Sequence, residues 1–157
     1  MRKRIITPLQ QETSSPDHHW LNLEAIAEVE ITSEDAAYPI ESALLPDQTS
    51  GWRAAGPGKQ TVRLLFAQPQ KIEKIWLSFI ETEVERTQEY VMRWSPDGGK
   101  SFEEIVRQQW NFNPQGSTTE TEEYQLNLAA VTVLELVITP DISKGDARAS
   151  LAQLRLA

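Results

Sequence analysis

A chain of 157 residues is long enough for one domain with a sizeable core and too short for two comfortable ones. Fifteen basic against 23 acidic residues give 15 − 23 = −8, a field that opposes a phosphate backbone and disfavours a nucleic-acid partner. There is no cysteine, which removes disulfides, thiolate metal sites and cysteine nucleophiles, and the apolar runs are too short for a membrane span, so no membrane partner is expected.

The opening Met1-Arg2-Lys3-Arg4 is followed only by Ile5 and Ile6 before Thr7-Pro8, so the apolar middle of a secretory signal is missing and a cytoplasmic location is expected. Residues 1–19 read as a leader or strap, since the stretch from Thr7 to His19 is rich in Pro, Ser and Gln and poor in apolar side chains. The single domain is expected over residues 20–157, with Trp20, Leu21 and Leu23 as its first anchors. Val29 and Ile31 alternate with Glu28 and Glu30, which predicts a strand from Ile26 to Ile31 with one buried face. After a helical turn at Ile40 to Leu45, the segment Pro46 to Lys59 holds three glycines and two prolines and reads as a long loop carrying Trp52-Arg53.

Strands follow at Thr61 to Phe66 and at Ile72 to Ile80, where Ile75, Leu77 and Phe79 share a face. Tyr90, Met92 and Trp94 again fall at a spacing of two, and Ser95-Pro96-Asp97-Gly98-Gly99 supplies the fixed φ and the positive φ that a tight reversal needs. Phe102 to Arg107 forms the return strand, and the stretch from Asn111 to Thr119 is a polar loop. Tyr124 to Leu128, Val133 to Ile138 and Leu151 to Leu156 complete about eight strands without long helical crossovers. That pattern predicts an all-β antiparallel sandwich, a jelly roll.

Tyr90, Met92 and Trp94 leading into Ser95-Pro96-Asp97-Gly98 carry a family resemblance. So do Ser33-Glu34-Asp35 with Tyr38-Pro39, the loop from Asp47 to Trp52, Gln68-Pro69, Ile72 to Leu77, and Leu151-Ala152-Gln153-Leu154-Arg155-Leu156. From about Ile31 to Leu156 the chain resembles the discoidin or coagulation factor 5/8 type C family, which shares the galactose-binding-domain-like jelly roll with family 32 carbohydrate-binding modules. The resemblance implies a non-catalytic binding module, and in many members a calcium ion held by the first loop and the last strand. Here that loop reads Asp47-Gln48 where the family usually has Asp-Gly, and Gln153 stands where an acidic residue is common. Asp47 is therefore the one candidate metal ligand, for a structural calcium that loses a formal charge at Gln153. Gly99 is one residue more than the family's hairpin carries.

Trp52 and Arg53 are candidate ligand residues, because an indole stacks on the C–H face of a sugar and a guanidinium donates to vicinal hydroxyls. The competing reading, which the resemblance favours, makes Trp52 a plug at the end of the sandwich. Trp110-Asn111-Phe112-Asn113 interleaves aromatics with amides, as a neutral polyol site would, so Trp110 and Asn111 are candidates too, against a reading in which the aromatics close the core and the amides satisfy a turn. Arg86 adds a further polar contact, while Glu81, Glu83 and Glu85 read as a solvated face. His18 and His19 point to opposite sides of an extended chain and make a poor chelating pair; as the only histidines they make any Ser/His/Asp arrangement depend on the leader, so catalysis of that type is not expected. The expected function is carbohydrate binding through loops at one end of the jelly roll, without catalysis. The alternative is a protein–protein interaction module of the same fold, so the partner is either a carbohydrate or a protein.

Overall fold

The computed structural model describes residues 20–157, and the leader expected over residues 1–19, with its two histidines, lies outside the described residues. Among these residues two short helical turns, α1 (Leu23–Ile26) and α2 (Glu41–Leu44), accompany eight strands: β1 (Ala27–Ile31), β2 (Trp52–Pro57), β3 (Gln60–Ile80), β4 (Arg86–Ser95), β5 (Glu103–Phe112), β6 (Thr119–Thr139), β7 (Arg148–Leu151) and β8 (Gln153–Leu156). The strands run in the order β1-β3-β6-β4-β5, with β8 also paired to β3, while β2 and β7 form a separate pair; every pairing is antiparallel. Among the described residues no helix is long and apolar enough to cross a membrane.

β3 and β6 are 21 residues each, and together they make both layers of the sandwich. The first half of β3 pairs with β1 and the last third of β6, whereas its second half pairs with β8 and the start of β6. The fold-over comes where the ladder slips, between Leu65 and Lys74, opposite Ala129 and Ala130. Pro69 has no N–H to give a ladder there, and extra residues in one strand bend it. The sequence therefore reads as two strands on each side of this bend, but the chain keeps one continuous strand through it.

The bend returns both ends of β3 to one pole of the molecule. Arg86 shows this directly: its Nε donates to Glu81, one residue beyond β3, and its Nη1 donates to the Pro140 carbonyl, one residue beyond β6. Alternation along the strands packs Leu64, Ile75, Leu77, Tyr90, Met92 and Leu136 into the core between the layers. Phe79 of one layer stacks on Tyr90 of the other, ring centroids 5.1 Å apart, and each such buried side chain contributes about 1.5–3 kcal/mol.

The β4–β5 hairpin lies at the opposite pole, beside the bend. Gly98 and Gly99 both hold positive φ, 76° and 95°, so the extra glycine occupies a left-handed position. Asp97 accepts from Ser95 Oγ at 2.7 Å and from Ser101 Oγ at 2.6 Å, bonds that hold its carboxyl down at about 2. Two further segments differ from expectation. Half of the long loop from Pro46 to Lys59 is strand β2, because Trp52 and Ala54 have buried places opposite β7. The closing strand is split at Ala152, with β7 joining β2 and β8 joining β3.

Candidate functional site

At the pole where the ends of β3 and β6 meet, β2 carries Arg53 outward beside Trp52, which points in. The loop after β1 is strapped onto β2 by two backbone bonds, Asp35 N–H to the Arg53 carbonyl at 2.8 Å and Arg53 N–H to the Tyr38 carbonyl at 3.1 Å. An Asx turn at Asp35, whose Oδ1 accepts from Ala37 N–H, reverses the chain so that Tyr38 comes over Arg53. The guanidinium lies over the Tyr38 ring, 5.3 Å from its centroid, and Arg148 of β7 reaches Asp35 at 3.7 Å.

Two clefts meet at Arg53 and Glu81. One, of about 190 Å³, is lined by Tyr38, Ser50, Arg53, Ile80, Thr82 and Ser150 among others. The second, of about 200 Å³, continues past Glu83, Val84, Asp146 and Arg148. The exposed large apolar side chains of the described residues are Tyr38, Ile80, Val84 and Ile142. The first three line these clefts, and Ile142 is held at the same pole by its N–H bond to the Thr87 carbonyl. Hydroxyl and guanidinium donors beside an exposed aromatic face are the groups a polyol with one apolar face requires.

Glu81 fixes the floor. Burial works to raise its carboxyl, but the bond from Arg86 Nε at 2.7 Å, the backbone N–H groups of Glu83 and Val84, and the Arg86 charge outweigh that and hold it below the ordinary value. An ionised Glu81 has no proton to give at neutral pH and is already committed to its loop. It is a fixed anchor, and the solvated face read from Glu81, Glu83 and Glu85 applies to Glu83 and Glu85 only.

The sequence-derived candidates separate clearly. Trp52 is buried, its Nε1 donating to the Ser33 carbonyl at 3.1 Å, so it closes the core under the cleft. Arg53 lines both clefts. Arg86 is wholly buried between Glu81, Gln88 and the Pro140 carbonyl, over the Phe112 ring, and presents nothing to solvent. Trp110 is half-buried against the core, and exposed Asn111 accepts from Thr87 Oγ1. Neither lines the two clefts. Asn113 turns its loop, accepting from Gln115 and Gly116 N–H groups, which is what turn amides do. Tyr38, Ser50 and Ser150 escaped sequence reasoning because the loop after β1, the loop before β2 and strand β7 bring them together from distant parts of the chain; an exposed tyrosine before a proline was the only signal.

The residues around Asp47 do not fit calcium. Asp47 shares a cleft with Arg155, and the Arg155 guanidinium donates to the carbonyls of Ala43 at 2.9 Å and Leu45 at 3.1 Å. A cation thus already sits on oxygens of the kind a hard metal would use. No group of three or more His, Cys, Asp or Glu positioned for a metal occurs among the described residues.

No protein-family model matches the chain, and no curated protein matches it. Solved structures do. The chain is similar to the family 32 carbohydrate-binding module of Clostridium perfringens NanJ, solved with galactose, at TM-score 0.64 and 14% identity, over 87% of this chain and 96% of that one. It is similar to a second such module from Clostridium perfringens, CpGH89CBM32-5, solved with GalNAc-β-1,3-galactose, at TM-score 0.64 and 17% identity over 87% and 98% of the two chains. XRCC1 bound to the DNA polymerase β catalytic domain also shares the architecture, at TM-score 0.59 and 16% identity over 84% and 96%. The fold is therefore the galactose-binding-like, discoidin jelly roll of the family 32 modules.

Proposed function

We propose that this chain is a non-catalytic carbohydrate-binding module that takes a neutral saccharide in the clefts joined at Arg53 and Glu81. The observation that carries the reading is the Arg53 guanidinium over the exposed Tyr38 ring, which sets a planar donor beside an aromatic face at the cleft mouth. Ser50, Thr82 and Ser150 add hydroxyls that both donate and accept, the match for sugar hydroxyls. Two modules of like fold were solved with galactose-type sugars, which supports beginning with that class. Arg155 replaces a structural calcium in this reading, so binding is independent of the metal.

The test is titration of isotope-labelled protein with galactose, N-acetylgalactosamine and glucose, with and without a chelator. Saturable shifts at Tyr38, Arg53 and Ser150 with at least one sugar support the proposal. Silence of that surface toward a broad glycan array removes it.

A further inference from the structure

Among the described residues β1 is an edge strand, on the side of the sandwich away from β5. Thr32 N–H bonds to the Thr61 carbonyl, and Thr32 falls in the same register as Glu30 opposite Arg63 and Glu28 opposite Leu65. In an antiparallel ladder the bonding direction alternates, so Val29 and Ile31 turn their N–H and C=O groups outward from the sheet. Ala27, whose N–H is taken by the Leu23 carbonyl, marks where that free edge begins.

The same alternate residues face an apolar groove of about 380 Å³, whose far wall is Ile40, Leu44 and Leu45 around α2. Its rim is acidic. Glu24, Glu34 and Glu41 line the groove, and Glu28 and Glu30 stand exposed on the other face of β1. Glu34 accepts from Ile40 N–H and Glu30 lies 3.9 Å from Arg63, a long exposed contact of little strength. An unpaired edge beside an apolar floor is the geometry of strand addition, in which main-chain bonds hold the ligand and alternate side chains select it.

We propose that β1 docks an extended peptide in which apolar and basic side chains alternate, added as a further strand between β1 and α2. Ligand residues opposite Val29 and Ile31 drop apolar side chains into the groove. Those between them lie on the face of Glu28 and Glu30 and carry Lys or Arg. The acidic rim disfavours acidic strands of the same shape.

The experiment titrates the full chain with a synthetic peptide of alternating valine and lysine or arginine, and with its counterpart carrying glutamate at the basic places. The basic peptide is expected to bind saturably and to slow amide exchange at Val29 and Ile31, while the acidic one does not bind. Val29→Pro removes an outward N–H that the β3 ladder does not use, and is expected to weaken binding at least 10-fold. The Glu28→Lys, Glu30→Lys double variant, which leaves the backbone intact, is expected to exchange the preference toward the acidic peptide. The proposal is overturned if neither peptide binds at millimolar concentration, if both bind alike, or if the charge reversal leaves the preference unchanged. Sedimentation showing that the chain pairs with a second copy through this edge, and thereby blocks the peptide, also overturns it.

Discussion

Arg86 donates to Glu81 Oε1 at 2.7 Å, and this buried pair joins the end of β3 to the start of β4 directly beneath the candidate binding cleft. The floor of that candidate cleft consequently rests on a charged pair. Removing one partner strands the other in a low-dielectric site, at a cost of about 3–5 kcal/mol. Arg86→Met is expected to lower the unfolding free energy in chemical denaturation by that order and to loosen the loop from Glu81 to Glu85. Retained stability would show that the pair is replaceable.

Arg53 and Tyr38 carry the sugar proposal without holding the core. Arg53→Ala and Tyr38→Ala are each expected to weaken saccharide binding about 10-fold, in line with the loss of ~1.4 kcal/mol of contact, with little change in thermal midpoint. Arg53→Lys should recover only part of the affinity, since the planar fork is lost. Calorimetric titration with the best sugar checks this, and unchanged affinity in all three variants counts against the cleft.

How much of this was legible in the sequence follows from which forces are local. Alternation at Val62, Leu64, Ile75, Leu77, Tyr90 and Met92 marks strands because a half-buried strand imposes it, and each of these side chains is in the core. The jelly roll followed from those strands and their turns. Continuity through Pro69 was not legible, because the slip that bends β3 depends on Ala129 and Ala130 some 60 residues away. Of the residues lining the candidate clefts, the sequence points to Arg53. Arg53 sits next to a loop tryptophan and could be named, whereas Arg86 looks exposed in a run of acids and is buried only because β6 ends over it at Pro140.

Gly51 holds φ at 75°, and a Cβ there would come within 2.9 Å of the Leu151 carbonyl oxygen. Gly51→Ala therefore combines a left-handed backbone with a backbone clash, so a loss of about 1–3 kcal/mol is expected. That corresponds to a midpoint lowered by very roughly 3–10 °C for a domain of this size. Because Gly51 also lines the first cleft, sugar binding should fall with it. Gly56→Ala is the control, since nothing lies within 4 Å of a Cβ there.

If Arg155 supplies the positive charge at the Ala43 and Leu45 carbonyls, metal removal has nothing to take away. Chelator is expected to shift the thermal midpoint by less than about 1 °C and to leave sugar affinity unchanged, where loss of a bound stabilising ligand would lower the midpoint measurably. Arg155→Gln should destabilise the fold, and calcium should not rescue it.

Glu120 gives the pH dependence its unusual sign. Burial, then the neighbouring Glu122 charge, push its carboxyl up to about 7, with only the bond from Gln88 Nε2 working the other way. Unfolded, the same group titrates near 4.5. Between those values the folded chain keeps a proton that the unfolded chain has lost. Its contribution is therefore complete below about 4.5, declines as pH rises, and is gone above about 7. The size is on the order of 3 kcal/mol. Glu120→Gln should flatten the fall in stability over that window, while Glu81→Gln, which leaves Arg86 without its carboxylate, should lower stability at neutral pH and remove the further loss on acidification below the ordinary carboxylate range. Denaturant titrations at about pH 3, 5 and 8 read both effects, the lowest for Glu81 and the upper two for Glu120, and an unchanged slope in Glu120→Gln would mean that Glu120 is not the group responsible.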